Sequence, residues 1–348
     1  MYNSIIDPSN MYESISQFPK HVQHSFDFFD KNSSVNKTIY ENIDNILILG
    51  MGGSAITGLL FKEILTEKLS IPVNVNQGNK IPKWVNENTL VIACSYSGNT
   101  EETLAGLEAS ISKTSKIIGF STGGKLIDLI NKNNYDYVLM PTGLQPRAAL
   151  GYSFTLMLIM FNKIEFISDN NLTNYQNNLD ELSKYNDSFS IQKENNISYK
   201  IAKKIYNKNP LIYAEDGIFG VIGYRFKCQL VENSKILAFN NVIPEMNHNE
   251  IEAYTENVNA KNNFVVIWIN SNEYHPRNIK RINIVKNIWS SKIDSQIEIN
   301  LDLSHIKSSL IKYLIYINLM DWISYHATIL NERDPGIIPN INELKNSL

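Results

Sequence analysis

Apolar positions along the chain follow two different periods. In residues 9–30, Met11, Ile15, Phe18, Val22, Phe26 and Phe29 recur three or four apart, which predicts one helical stretch with a single apolar face. From residue 45 short apolar runs take over. They predict strands at 45–50, 73–75, 90–94, 116–121 and 137–140. Helical spacing predicts helices at 54–69, 101–112 and 125–131 between them. Residues 148–161 are apolar on all sides, but Gly151 and Ser153 interrupt the run and it falls short of the ~20 apolar residues of a membrane span, so it reads as a buried helix. Residues 168–196 are rich in Asn, Ser and Asp and read as a helical or partly irregular linker. A second alternating block follows, with strands at 211–214, 264–269 and 295–299, an extended piece at 235–239, and helices at 221–233, 248–253, 279–291 and 306–329.

Strands alternating with helices across tight glycine turns predict an α/β protein whose parallel sheets are covered on both faces, a three-layer αβα arrangement. The two blocks share one outline, so internal duplication is plausible. The expected division is an N-terminal helical segment (1–40), a first domain (41–166), a linker (167–200) and a second domain with a C-terminal helix and tail (201–348). The length agrees, at roughly 150 residues per domain.

Two turns carry chemistry. Gly50-Met51-Gly52-Gly53-Ser54-Ala55 follows the strand at 45–50, and Ser95-Tyr96-Ser97-Gly98-Asn99-Thr100-Glu101-Glu102-Thr103 follows the strand at 90–94. The glycines let a ligand approach the main chain, while the hydroxyls and free amides at a helix start can hold a phosphate without lysine or arginine. Gly50-x-Gly52-x-x-Ala55 formally fits a dinucleotide fingerprint, but the second strand, Val73-Asn74-Val75-Asn76, ends without the acid that would grip a ribose. Helix capping accounts for Thr100 but not for Ser95 and Ser97 together with Gly98.

Composition narrows the partners. A net charge of -3 argues against nucleic acid and anionic membranes, so an anionic ligand must be met by local donors. Cys94 and Cys228 both sit among apolar neighbours and read as buried, reduced thiols of a cytoplasmic protein. The N-terminus lacks the basic-then-apolar pattern of a signal peptide. His21 and His24, spaced i, i+3, have no cysteine or carboxylate cluster beside them in sequence and do not read as metal ligands.

Gly52-Gly53-Ser54 with Ser95-x-Ser97-Gly98-Asn99-Thr100-x-Glu102-Thr103 resembles the sugar isomerase (SIS) domain, which binds phosphosugars. Gln145-Pro146-Arg147-Ala148-Ala149-Leu150-Gly151-Tyr152, Glu232-Asn233-Ser234-Lys235, Pro244-Glu245-Met246-Asn247-His248-Asn249-Glu250-Ile251 and the tail from Asp334-Pro335 to Glu343-Leu344-Lys345 narrow it further. They are similar to the bifunctional phosphoglucose/phosphomannose isomerase family, and the similarity runs in order through nearly the whole chain. Gly336 departs from it, standing where a hydroxyl or another residue is expected.

The resemblance implies two SIS domains and an aldose–ketose isomerase that interconverts glucose 6-phosphate and mannose 6-phosphate with fructose 6-phosphate, with no metal or other cofactor. It implies Glu232 as the base moving a proton between C1 and C2, and His248 as the ring-opening acid/base, contributed across the subunit interface of a homodimer. It further implies that Lys345 assists ring opening and that Gly53, Ser54, Ser95, Ser97 and Thr100 hold the phosphate and sugar. Arg147 is the sole arginine in the first half of the chain, and its guanidinium suits an enediolate oxygen and a carboxylate base. Two rival readings remain: a non-catalytic SIS module sensing a sugar phosphate, and an SIS isomerase acting on another phosphosugar.

Overall fold

The computed structural model describes residues 4–254, 263–293 and 295–348. The chain folds as two compact units, Gln17–Leu179 and the residues up to Ser16 together with Asp180–Leu348. The expected single helix over 9–30 is two helices, α1 (Met11–Ser16) and α2 (Phe18–Asn32). Pro19 causes the break. It has no N–H and fits only in a first helical turn, where no intrahelical acceptor is needed. Asp7 starts α1 by accepting from the Met11 and Tyr12 amides, each at 2.8 Å.

The Gln17–Leu179 unit runs β1 (Ser33–Ser34), β2 (Asn45–Leu49), α3 (Gly52–Thr66), β3 (Val73–Asn76), β4 (Thr89–Cys94), α4 (Glu101–Ile111), β5 (Ile117–Ser121), α5 (Gly124–Lys132), β6 (Asp136–Leu139), α6 (Leu150–Lys163) and α7 (Asp169–Gln176). Its sheet has the order β1-β6-β5-β4-β2-β3, parallel throughout except for β1 on β6. Ile46 to Leu49 and Leu90 to Ala93 are wholly buried. Two-sided burial explains why these strands read as continuous apolar runs. The strand order reverses between β2 and β4, and in open parallel sheets ligands bind beyond the carboxyl ends of the strands at such a reversal. Both candidate loops leave the sheet there.

The second unit runs α8 (Leu179–Phe189, its first residue at the boundary), α9 (Ile197–Ile205), β7 (Asn209–Glu215), α10 (Ile218–Ser234), β8 (Phe239–Ile243), β9 (Phe264–Asn270), α11 (Pro276–Trp289), β10 (Gln296–Asn300), α12 (Ser309–Leu330) and α13 (Pro339–Ser347). Its parallel sheet, β10-β9-β7-β8, reverses between β7 and β9 in the same manner. The shared winding matches the duplicated outline of the sequence. Here, however, the reversal is occupied by protein. The Glu215 carboxylate at the end of β7 accepts from the His275 amide (3.0 Å) and Asn278 (2.6 Å) at the start of α11. A carboxylate thus sits where helix-start amides favour an anion.

α12 is buried on nearly every side. Arg225 of α10 makes a bidentate pair with Asp321 of α12 at 2.6 and 3.0 Å, and Gln229 donates to the same carboxylate at 2.6 Å. Tyr12 of α1 packs edge-on against Trp322 and Tyr325, so the N-terminal helix completes this second core.

The polar stretch at 168–196, expected to be helical or partly irregular, is helical over α7 and α8, which buried Tyr175, Leu182, Asn186 and Phe189 anchor. Two further expectations need correction. The helix expected at 248–253 is instead a pair of 3-10 turns, Glu245–His248 and Glu250–Tyr254. The extended piece expected at 235–239 begins with Lys235 in the left-handed region (φ 56°) as the cap of α10, so the strand starts only at Phe239.

Candidate active site

In the Gln17–Leu179 unit, the loop from Ser95 to Thr100 leaves β4 and enters α4. Ser95 is buried; its hydroxyl pairs with that of Thr100 at 2.8 Å and accepts from the Gly98 amide at 3.1 Å. Thr100 stands at the N-cap position, yet its side chain caps nothing in α4. Among the described residues the backbone N–H groups of Ser97, Thr100, Glu101 and Glu102 find no protein acceptor. Free amides at a helix start, next to an exposed Ser97 hydroxyl, form a neutral anion cradle.

The loop is packed too tightly for other side chains. Gly98 has φ +70°, and a Cβ there would lie 1.8 Å from the Gly123 carbonyl oxygen. Only glycine satisfies both demands.

The β2–α3 turn lies against this loop. The Tyr96 amide donates to Ser54 Oγ at 3.3 Å. On the other side, a Cβ on Gly53 would meet the Pro146 carbonyl oxygen at 3.0 Å and the Arg147 Cα at 3.7 Å. The 3-10 turn Pro146–Ala148, carrying buried Arg147, therefore rests directly on the start of α3. Gly53, Ser54, Arg147 and the 95–100 loop come together at the carboxyl edge of β2 and β4.

The second unit carries the other predicted residues. Glu232 is partly exposed in the last turn of α10. Its neighbours fix that turn, since Asn233 donates to Ser324 Oγ (3.0 Å) and Ser234 to the Ser324 carbonyl (2.6 Å) on α12. The Lys235 ammonium donates to the Glu232 and Ile337 carbonyl oxygens at 2.5 and 2.8 Å, so main-chain oxygens receive it and the tail is tied to the end of α10.

His248 ends the turn Glu245–His248; it is exposed, and its imidazole makes no hydrogen bond among the described residues. Its turn is anchored through Glu250, whose carboxylate accepts from Tyr213 and from Asn241, each at 2.6 Å. Lys345 lies on α13, a helix with no buried residue. Gly336 is dictated locally: a Cβ there would lie 2.0 Å from Ser9 Oγ, so no side chain fits.

The remaining predicted groups have structural roles. His21 stacks on Tyr152 at 4.7 Å, and His24 Nδ1 hydrogen-bonds the Tyr152 hydroxyl at 3.1 Å. Both cysteines are unpaired; Cys94 is buried, which pushes its thiol pKa up, whereas Cys228 is only partly buried, against expectation. Sequence reasoning passed over Tyr96. Its phenol donates to the Pro141 carbonyl (2.9 Å) and accepts from the Leu144 amide (3.1 Å), on the segment leading to Arg147. The only sequence signal was an aromatic residue between two serines of a polar loop.

Comparison with known proteins gives the family and the fold. Residues 39–162 match the SIS domain family, and residues 194–348 match the family described as the bacterial phospho-glucose isomerase C-terminal SIS domain. The chain is 38% identical to a bifunctional phosphoglucose/phosphomannose isomerase of Caldicellulosiruptor bescii, over 97% of this chain and 98% of that one. It is 34% identical to a D-glucosamine-6-phosphate 4-epimerase of Sulfolobus acidocaldarius, over 69% of this chain and 73% of that one. Among solved structures, the C-terminal domain of glucosamine-fructose-6-phosphate aminotransferase from Francisella tularensis shares the fold, with TM-score 0.73 at 17% identity, covering 93% of this chain and 96% of that one. No described helix is long and apolar enough to cross a membrane.

Proposed function

The chain belongs to the bifunctional phosphoglucose/phosphomannose isomerase family, and from that membership we propose how its residues divide the work of interconverting glucose 6-phosphate and mannose 6-phosphate with fructose 6-phosphate. The cradle formed by the free amides at the start of α4 with Ser95, Ser97 and Thr100 carries the reading. It takes the substrate phosphate, with Gly53 and Ser54 alongside, and the partial positive charge of the helix start contributes up to ~2 kcal/mol. Neutral donors suffice where no broad basic field exists.

Moving hydrogen between C1 and C2 needs a base over a weakly acidic C–H and a group that stabilises the enediolate oxygen. Glu232 removes the proton from one carbon and returns it to the other. Arg147 steadies the oxygen that gains charge, and its burial supports that role because a guanidinium away from water acts more strongly. His248 and Lys345 open the sugar ring by proton transfer at the ring oxygen. Glucose and mannose phosphates differ only at C2, so rotation of the enediolate about C2–C3 lets Glu232 serve either face.

The working form is a homodimer whose site lies at the subunit interface and takes its imidazole from the second protomer. Exposed Val231, Leu237, Phe239, Ile337, Ile341 and Leu344 in the second unit support association, since they are large apolar side chains left in water by the single chain. Two free thiols support a cytoplasmic location.

The test is a coupled assay that starts from fructose 6-phosphate and reads glucose and mannose 6-phosphates separately. Both products are expected without added metal. The similarity to the epimerase favours one alternative, an amino-sugar phosphate substrate. Turnover of glucosamine 6-phosphate with no product from fructose 6-phosphate would replace the isomerase reading by that one.

A further inference from the structure

Residues 141–145 connect β6 to the turn that carries Arg147; 142 and 143 are exposed and the other three half-buried. Gly143 is in the left-handed region at φ +93°, and the segment has no regular structure. Two hydrogen bonds tie residues 141–144 to other segments among the described residues, and both end on one atom, the Tyr96 hydroxyl. That phenol donates to the Pro141 carbonyl and accepts from the Leu144 amide, so its donor and its acceptor capacity are both used. The other end of Tyr96 is equally committed. Its amide donates to Ser54 Oγ at 3.3 Å, and its carbonyl accepts from the Thr122 amide (3.0 Å) and hydroxyl (2.8 Å). The residue is thus clamped through its main chain inside the hydroxyl loop and reaches out with its side chain to hold the Arg147 segment.

We propose that Tyr96 is a positioning residue for Arg147: a strut that fixes the guanidinium relative to the phosphate-gripping loop, so that holding the phosphate and steadying the reacting oxygen occur in one register. This rests on the roles given above to Arg147 and the 95–100 loop. It gives Tyr96 a part in the reaction although it touches no reacting atom. The phosphate contacts alternate along the loop, Ser95 and Ser97 on one set of positions and Tyr96 between them, so the strut and the grip share three consecutive residues. A shift of about 1 Å in a positioned group is enough to cost on the order of a hundredfold in rate.

Tyr96→Phe removes the hydroxyl and keeps the ring. The first readout is deuterium uptake of peptides covering 141–149, which needs neither substrate nor turnover. Uptake there is expected to rise in the variant while peptides of β2 and β4 stay protected and the melting temperature shifts little. Unchanged uptake overturns the strut, even if the protein proves to act on a different sugar. The second readout is kinetic. A fall in kcat of about tenfold or more is expected with KM within about threefold, and in an Arg147→Lys background the added effect of Tyr96→Phe should shrink to about twofold or less. A full, additive loss in both backgrounds, or a rise in KM with kcat unchanged, overturns it. An inactive wild type on fructose 6-phosphate refutes the isomerase reading instead, and the exchange measurement still decides the strut.

Discussion

The hydroxyls of Ser95 and Thr100 lie 2.8 Å apart and close the β4–α4 loop upon itself. The pairing withholds Thr100 Oγ1 from the first amides of α4, which an N-cap threonine would ordinarily satisfy. It therefore keeps those donors for a ligand. Ser95→Ala should free Thr100 to cap its own helix and compete with the phosphate. The hydroxyl's two bonds, to Thr100 and from the Gly98 amide, are lost and one cap is gained, each worth about 1 kcal/mol, so stability should fall by about 1 kcal/mol. KM for fructose 6-phosphate should rise roughly tenfold with kcat within about threefold. Steady-state kinetics decides this: a fall in kcat at unchanged KM would show that Ser95 does not act through the grip.

The proposed base and the proposed grip lie on different elements, Glu232 on α10 and the hydroxyl loop on β4–α4. Glu232→Gln should thus separate chemistry from binding. Turnover is expected to fall by about a thousandfold or more, with affinity for the hexose phosphate within about tenfold. Calorimetric titration beside the coupled assay checks both halves. Appreciable turnover in the variant assigns proton transfer to another group.

How far the sequence discloses such a site depends on the range of the contacts involved. β2, β4 and β5 read correctly because two-sided burial leaves an apolar run that polar flanks bound sharply. β1 escaped notice because a two-residue edge strand has no period at all. Residues up to Ser16 carry a helical pattern, but nothing in it says that Tyr12 packs on Trp322, some three hundred positions away; that contact is a matter of tertiary packing. The Ser95–Thr100 loop was legible because its residue types already state the chemistry. Glu232, His248 and Lys345 are proposed through family resemblance alone, since a partly exposed glutamate, an exposed histidine and a lysine on an exposed terminal helix have no local signature. Tyr96 was missed because its partners are main-chain atoms at 141 and 144, which have no side-chain type to betray them.

The Arg225–Asp321 pair ties the middle of α10 to the long buried helix α12. Both side chains are buried, at 4% and 3% exposure, so neither charge can turn to water if the other is removed. Asp321→Ala should cost about 3–5 kcal/mol and also strip Gln229 of its acceptor. Replacing both charges together, Arg225→Met with Asp321→Leu, should recover most of that loss, because the penalty lies in an uncompensated buried charge. Urea unfolding of the two variants separates the cases. Equal destabilisation in both would mean that shape, not charge, makes this contact.

Two buried imidazoles make stability fall in mild acid. His21 is 8% exposed and His326 wholly buried, and desolvation holds each near a pKa of about 4, with His24 adding to the effect at His21. His326 Nε2 meets the Phe189 carbonyl at 3.0 Å, which makes this nitrogen the donor of a neutral ring. A second proton must then enter at Nδ1, which is buried without a partner among the described residues. The unfolded chain takes up that proton near pH 6.5, whereas the folded one waits until about pH 4. Between these values the unfolded state binds more protons. Stability is therefore complete above pH 6.5 and declines as pH falls toward 4. At pH 5.5 each histidine should have removed about 1.4 kcal/mol relative to pH 7.5 or above. Urea unfolding of wild type and His326→Phe at pH 7.5 and 5.5 reads the difference directly. The variant should lose about 1.4 kcal/mol less than wild type on acidification, and an identical loss in both proteins would mean that the folded state takes up a proton at His326 as readily as the unfolded chain does.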